Sequence, residues 1–115
     1  MRSRRSWSCS VVRGDIHALT LPRRRGHAQH GRRYAVIVQA DALLTLSSVV
    51  ICPTSQSTPP ASFHPEVEIE GVTTSVMCEL DGVAVARALG DNVGHLSHTE
   101  MGAVDDALAL VLDLR

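Results

Sequence analysis

Three features of this sequence predict a small, mostly β (α+β) domain closed by a C-terminal helix. Short apolar runs recur between turn residues, as in YAVIVQ at 34–39, SVVIC at 48–52 and EVEIE at 66–70. Gly71 marks a tight turn between the last of these and the run that follows it. The C-terminal stretch changes period: Ser97 and Glu100 spell an S-x-x-E capping box, and Met101, Val104, Leu108 and Val111 recur at helical spacing. At 115 residues the chain is one domain, a size that buries roughly 60–70% of its unfolded surface around a single modest core.

Each element has its own reason. Residues 1–12 are polar and arginine-rich without a period, so a disordered N-terminal extension is expected there, and the folded domain is expected over 13–115. Ile16, Ala18 and Leu21 alternate loosely, giving a strand from Asp15 that Pro22 closes. A loop with Gly26 and Gly31 follows. Tyr34–Gln39 is nearly continuous β-branched sequence, as a central strand buried on both faces requires. Asp41–Ser47 fits a helical turn or a connecting loop equally, and Ser48–Cys52 is the next buried strand. Gln56–Pro65, rich in Ser, Thr and Pro, is a loop. Val67 and Ile69 then face inward while Glu66, Glu68 and Glu70 face water, and Thr73–Leu80 returns as a strand. One helical turn is expected within Gly82–Gly90, and a short last strand over Asn92–Leu96.

Charge is split along the chain. Residues 1–33 carry nine Arg and one Asp, whereas residues 34–115 carry two Arg and eleven Asp or Glu. All cations are Arg, the side chain that grips phosphate through two parallel hydrogen bonds. A basic binding end and an acidic, solvated remainder follow. No apolar run reaches the roughly 20 residues of a membrane helix. Cys9, Cys52 and Cys78 have no metal-ligand spacing, and Cys52 and Cys78 read as small core residues in a reduced, cytoplasmic protein.

The candidate chemistry lies between Arg13 and Ser55. Arg33 stands where the arginine loop re-enters the sheet, and Thr54 where the next strand leaves it. A fixed guanidinium near a hydroxyl suits a phosphate. His27 and His30 in the loop read as solvated imidazoles, and His64, His95 and His98 have no paired ligand spacing.

The order RGDI, GRR before AVIVQAD, VVICPTS, PEVEI, MCE and a final VGHLS…E…AVDDAL…VLDL helix resembles the MazF/PemK family of type II toxin endoribonucleases, over roughly residues 12–115. The resemblance implies an SH3-like barrel of the MazF/PemK/CcdB type with a C-terminal helix, acting as a homodimer. It implies cleavage of single-stranded mRNA without metal or cofactor, and neutralisation by a small antitoxin with a flexible acidic tail. On this chain the family's catalytic pair falls on Arg33 and Thr54, with Arg25, Gln29, Arg32, Ser55, Gln56 and Glu79 as RNA-binding residues.

Five positions depart from the family pattern. His17 replaces an aromatic and Tyr34 replaces a proline; after Glu79, the places of Gln, an apolar residue and Arg hold Leu80, Asp81 and Gly82. Losing a donor and a cation while gaining an acid weakens phosphate binding on that wall. The second expectation is therefore a weakened or inactive scaffold that binds an antitoxin or another protein.

Overall fold

The computed structural model describes residues 11–19, 33–41, 48–85 and 88–114. Among them run β1 (Asp15–Leu19), β2 (Tyr34–Ile37), β3 (Ser48–Ser55), β4 (Glu66–Ile69), β5 (Val72–Val76), β6 (Gly82–Val85), β7 (Leu89–His95) and the helix α1 (His98–Leu112). The strands are antiparallel in the order β4-β5-β3-β2-β1-β7, with β6 paired to β3 off that path. On one side of β3, Ser48–Ile51 pair with β6 while Thr54 and Ser55 pair with β5. One long strand that changes partners in this way curls the sheet into a half-barrel.

β2 is the centre of the fold because both of its faces are covered. Tyr34 and Val36 enter the main core with Cys52, Val67, Ile69, Val76, Cys78 and Leu96. Ala35 and Ile37 enter a second cluster on the other face with Val11, Val49 and Ile51. α1 covers the main core through Val104, Ala107 and Leu108, with Met101 and Val111 packed beside them. Its N-terminus carries the expected capping box: Ser97 Oγ accepts from Glu100 N at 3.1 Å and Glu100 Oε1 accepts from Ser97 N at 2.9 Å. Asp113 in the left-handed region ends the helix.

The RGDI sequence is architectural. Gly14 has φ +95°, and a Cβ there would meet the His95 ring at 3.1 Å, so glycine is required on both counts. Asp15 is 4% exposed; its Oδ2 accepts from Val12 N at 2.9 Å and its Oδ1 meets His95 Nδ1 at 2.8 Å. Arg13 donates from Nε to Val38 O at 2.8 Å and from its guanidinium to Asp105 Oδ1 at 2.7 Å. One motif thus ties β1 to β2, β7 and α1.

The structure corrects four expected elements. Gly82–Val85 forms a strand along Ser48–Ile51 where a helical turn was expected, because that stretch of β3 needs backbone partners. The strand expected to Leu80 ends at Val76 and tightens into a 3-10 turn at Cys78–Leu80. β7 begins at Leu89, earlier than Asn92, and β3 continues beyond Cys52 through Pro53 to Ser55. β4 alternates as predicted, with Val67 and Ile69 buried, and turns at Glu70 and Gly71, both at positive φ. The disordered extension expected at 1–12 and the turn or loop expected at 41–47 lie largely outside the described residues.

Candidate functional site

The end of the sheet where β2 begins and β3 leaves is built by register. β2 and β3 pair through Ala35 with Pro53, and one step further along sets Tyr34 opposite Thr54 and Arg33 opposite Ser55. The ladder holds through this point on the β1 side, where Leu19 N donates to Arg33 O at 2.8 Å. Strand alternation sends Tyr34 and Thr54 to the main-core face.

Thr54 is 4% exposed, and its Oγ1 donates to Tyr34 O at 3.0 Å. The hydroxyl proton is therefore committed to the Tyr34–Ala35 peptide, one residue beyond Arg33. Tyr34, at the family's proline position, is buried in the core, with its hydroxyl donating to Glu70 Oε1 at 2.8 Å. His17, at the family's aromatic position, is buried and donates from Nδ1 to Gly90 O at 2.9 Å, tying β1 to β7.

Ser55 and Gln56 begin the turn after β3. Ser55 Oγ accepts from Ser57 N at 3.2 Å and from Thr58 Oγ1 at 2.9 Å, while Thr58 O accepts from Ser75 Oγ on β5. Gln56 is exposed beside it. Arg25, Gln29 and Arg32, together with His27 and His30, lie outside the described residues.

Sequence reasoning missed His64. Its Nε2 meets Glu79 Oε2 at 2.8 Å across a sequence separation of 15, and its Nδ1 lies 3.3 Å from Pro59 O. The hydrogen bond to Glu79, opposed by burial, holds the imidazole above its ordinary range; the same bond holds the Glu79 carboxyl below its own. Phe63 packs against the His64 ring, with centroids 4.4 Å apart. The next residue, Pro65, accepts from Val76 N at 2.9 Å, and Val76 is the register partner of Thr54. The His64–Glu79 pair thus borders the same end of the sheet from the β5 side. Only the Pro after His64 hinted at a fixed position.

A family model described as PemK-like, MazF-like toxin of type II toxin-antitoxin system matches residues 12–112. The chain belongs to the PemK/MazF-like toxins. A Mycobacterium tuberculosis protein named "Putative toxin Rv3098A/RVBD_3098A" is 35% identical over 106 residues, spanning 90% of this chain and 99% of that one. A mycobacterial endoribonuclease in complex with its cognate antitoxin superposes with a TM-score of 0.76 at 20% identity, covering 91% of this chain and 97% of the other. The M. tuberculosis toxin MazF-mt6 gives 0.72 at 18% identity, covering 88% and 98%. MazF in a MazE–MazF crystal structure from Deinococcus radiodurans gives 0.72 at 20% identity, covering 91% and 97%. These superpositions establish the fold as that of MazF toxins.

Proposed function

We propose that this PemK/MazF-like toxin is a metal-independent endoribonuclease, acting as a homodimer on single-stranded mRNA in the cytoplasm and restrained by a small antitoxin. The observation that carries the reading is the hydrogen bond from buried Thr54 Oγ1 to Tyr34 O at 3.0 Å. It fixes the backbone one residue beyond Arg33, at the end of the sheet where β2 begins. The antitoxin partner is supported by the mycobacterial and Deinococcus complexes.

The chemistry follows from the residues. The substrate's 2′-hydroxyl attacks its own phosphorus, the bond to the 5′-oxygen breaks, and that oxygen takes up a proton, leaving a 2′,3′-cyclic phosphate and a 5′-hydroxyl. Arg33 stabilises the dianionic phosphorane, an electrostatic contribution on the order of 3–4 kcal/mol in comparable sites. Thr54 acts through the backbone, holding Arg33 where the charge develops. Arg25, Gln29 and Arg32 bind neighbouring phosphates and sugars, making affinity salt-dependent. Ser55 and Gln56 supply hydroxyl and amide groups at the turn. Glu79, kept ionised by His64, accepts hydrogen bonds from base N–H groups rather than meeting phosphate, which requires an unpaired base.

A second reading, an inactive scaffold that binds the antitoxin, draws on one observation. The stretch after Glu79 presents Leu80, 55% exposed, and Asp81, with no cation. Incubation of a long single-stranded RNA with the pure protein in EDTA separates the two. Discrete cuts ending in cyclic phosphate are expected. Intact RNA across a wide range of concentrations of folded protein would leave the scaffold reading standing.

A further inference from the structure

Cys52 and Cys78 are both free, both fully buried and both in the main core. β3 and β5 pair through Ser55 with Ser75 and Thr54 with Val76, and the ladder's last bond runs from Met77 N to Pro53 O at 2.8 Å. Cys78 follows as the first residue of the 3-10 turn and Cys52 precedes Pro53, so the end of the ladder brings the two cysteines next to each other. Residues facing across such a ladder lie about 4.5–5.5 Å apart between Cα atoms, inside the span of a disulfide. Both side chains enter the same core cluster, beside Val36, Val76 and Leu96.

We propose that Cys52 and Cys78 are a reversible thiol-oxidation site, closing a disulfide across the β3–β5 ladder that ties the exit of β3 to the turn carrying Glu79. This stands independently of the ribonuclease reading. Access comes by local opening of the short 3-10 turn, whose hydrogen bond from Asp81 N to Cys78 O is long at 3.4 Å. The neighbouring thiol pushes Cys52 up and Cys78 down, making Cys78 the attacking sulfur. With a small disulfide such as glutathione disulfide as oxidant, the Cys78 thiolate attacks one sulfur and expels a thiolate. Cys52 then attacks Cys78 Sγ in the mixed disulfide, forming the protein disulfide and releasing the second thiol. The two protons lost by the cysteines end on the two glutathione thiols, so the oxidant is reduced by two electrons and the protein oxidised by two.

The bond closes a loop containing Thr54, Ser55, Gln56 and His64, so oxidation restrains the strand exit and the Glu79 turn together. The test uses the full chain with Cys9→Ser, incubated in graded glutathione redox buffers and measured by non-reducing intact mass. Expected are a loss of about 2 Da, no remaining free thiol and a linked peptide pair spanning residues 52 and 78, all reversed by dithiothreitol. The thermal midpoint of the oxidised form should rise by about 5 °C or more, with slower amide exchange at Leu80 and Asp81. Thiols that stay free, or that carry glutathione without an internal bond, overturn the proposal. The comparison is between two redox states of one chain, so it does not depend on any core cysteine variant folding.

Discussion

Where β1 begins, Arg13 and Asp15 direct their polar groups at the fold itself, reaching Val12, Val38, His95 and Asp105. At the opposite end, where β2 begins and β3 leaves, the buried Thr54 hydroxyl holds the backbone after Arg33, and His64 holds Glu79. RGDI fastens the helix and outer strand to the sheet, whereas Arg33 and the PTS end of β3 stand at the candidate site. A family motif can signal architecture as strongly as chemistry, and hydrogen-bond partners tell the two apart.

Substitutions at the two ends should separate accordingly. Asp15→Ala removes a buried carboxylate and strands Val12 N and His95, so it should cost about 3 kcal/mol of stability in urea unfolding. Any cleavage by the remaining folded protein should be unchanged. Thr54→Val, close in shape, removes the side-chain bond to Tyr34 O and should cost about 1 kcal/mol, with cleavage falling further than stability. Thr54→Ser keeps the bond and should restore most of both; a Thr54→Val chain that cuts as well as the wild type would place Thr54 with the architectural residues. Ser97→Ala, removing half of the capping box, should cost about 1 kcal/mol and leave RNA cleavage unaltered.

The smallest effect belongs to the His64–Glu79 pair. The raised His64 contributes stability that is fully present below its unfolded value and lost as pH rises through its folded one. The lowered Glu79 contributes stability present above its unfolded value and lost as pH falls through its folded one. The stability difference between wild type and His64→Gln should therefore peak between these limits and shrink on both sides. Glu79 is 33% exposed at its side chain, so solvent screening keeps the peak below about 1 kcal/mol. A pH-independent difference would show that the pair carries no ionic contribution.

Much of this fold was legible because local rules and tertiary packing agree. The β4 alternation, the Gly71 turn and the Ser97–Glu100 box each read directly from spacing. Gly82–Val85 did not, because a short apolar run fits helix or strand, and the unpaired backbone of Ser48–Ile51 decided it. Arg33 and Thr54 could be brought to one end of the sheet by element order alone. That Thr54 turns its proton to Tyr34 O depends on register, which the sequence does not print. His64 with Glu79, and Cys52 with Cys78, meet only across the folded sheet, so neither pair leaves a spacing signature.

The most direct test of the contrast pairs Arg33→Ala with Arg13→Ala, scoring RNA cleavage in EDTA and urea unfolding on the same samples. The account predicts that Arg33→Ala cuts RNA about 100-fold more slowly or worse while unfolding at nearly the wild-type midpoint. Arg13→Ala should lose about 1–2 kcal/mol of stability and cut normally per folded molecule. Cleavage that survives Arg33→Ala but fails in folded Arg13→Ala would contradict the assignment of the two ends.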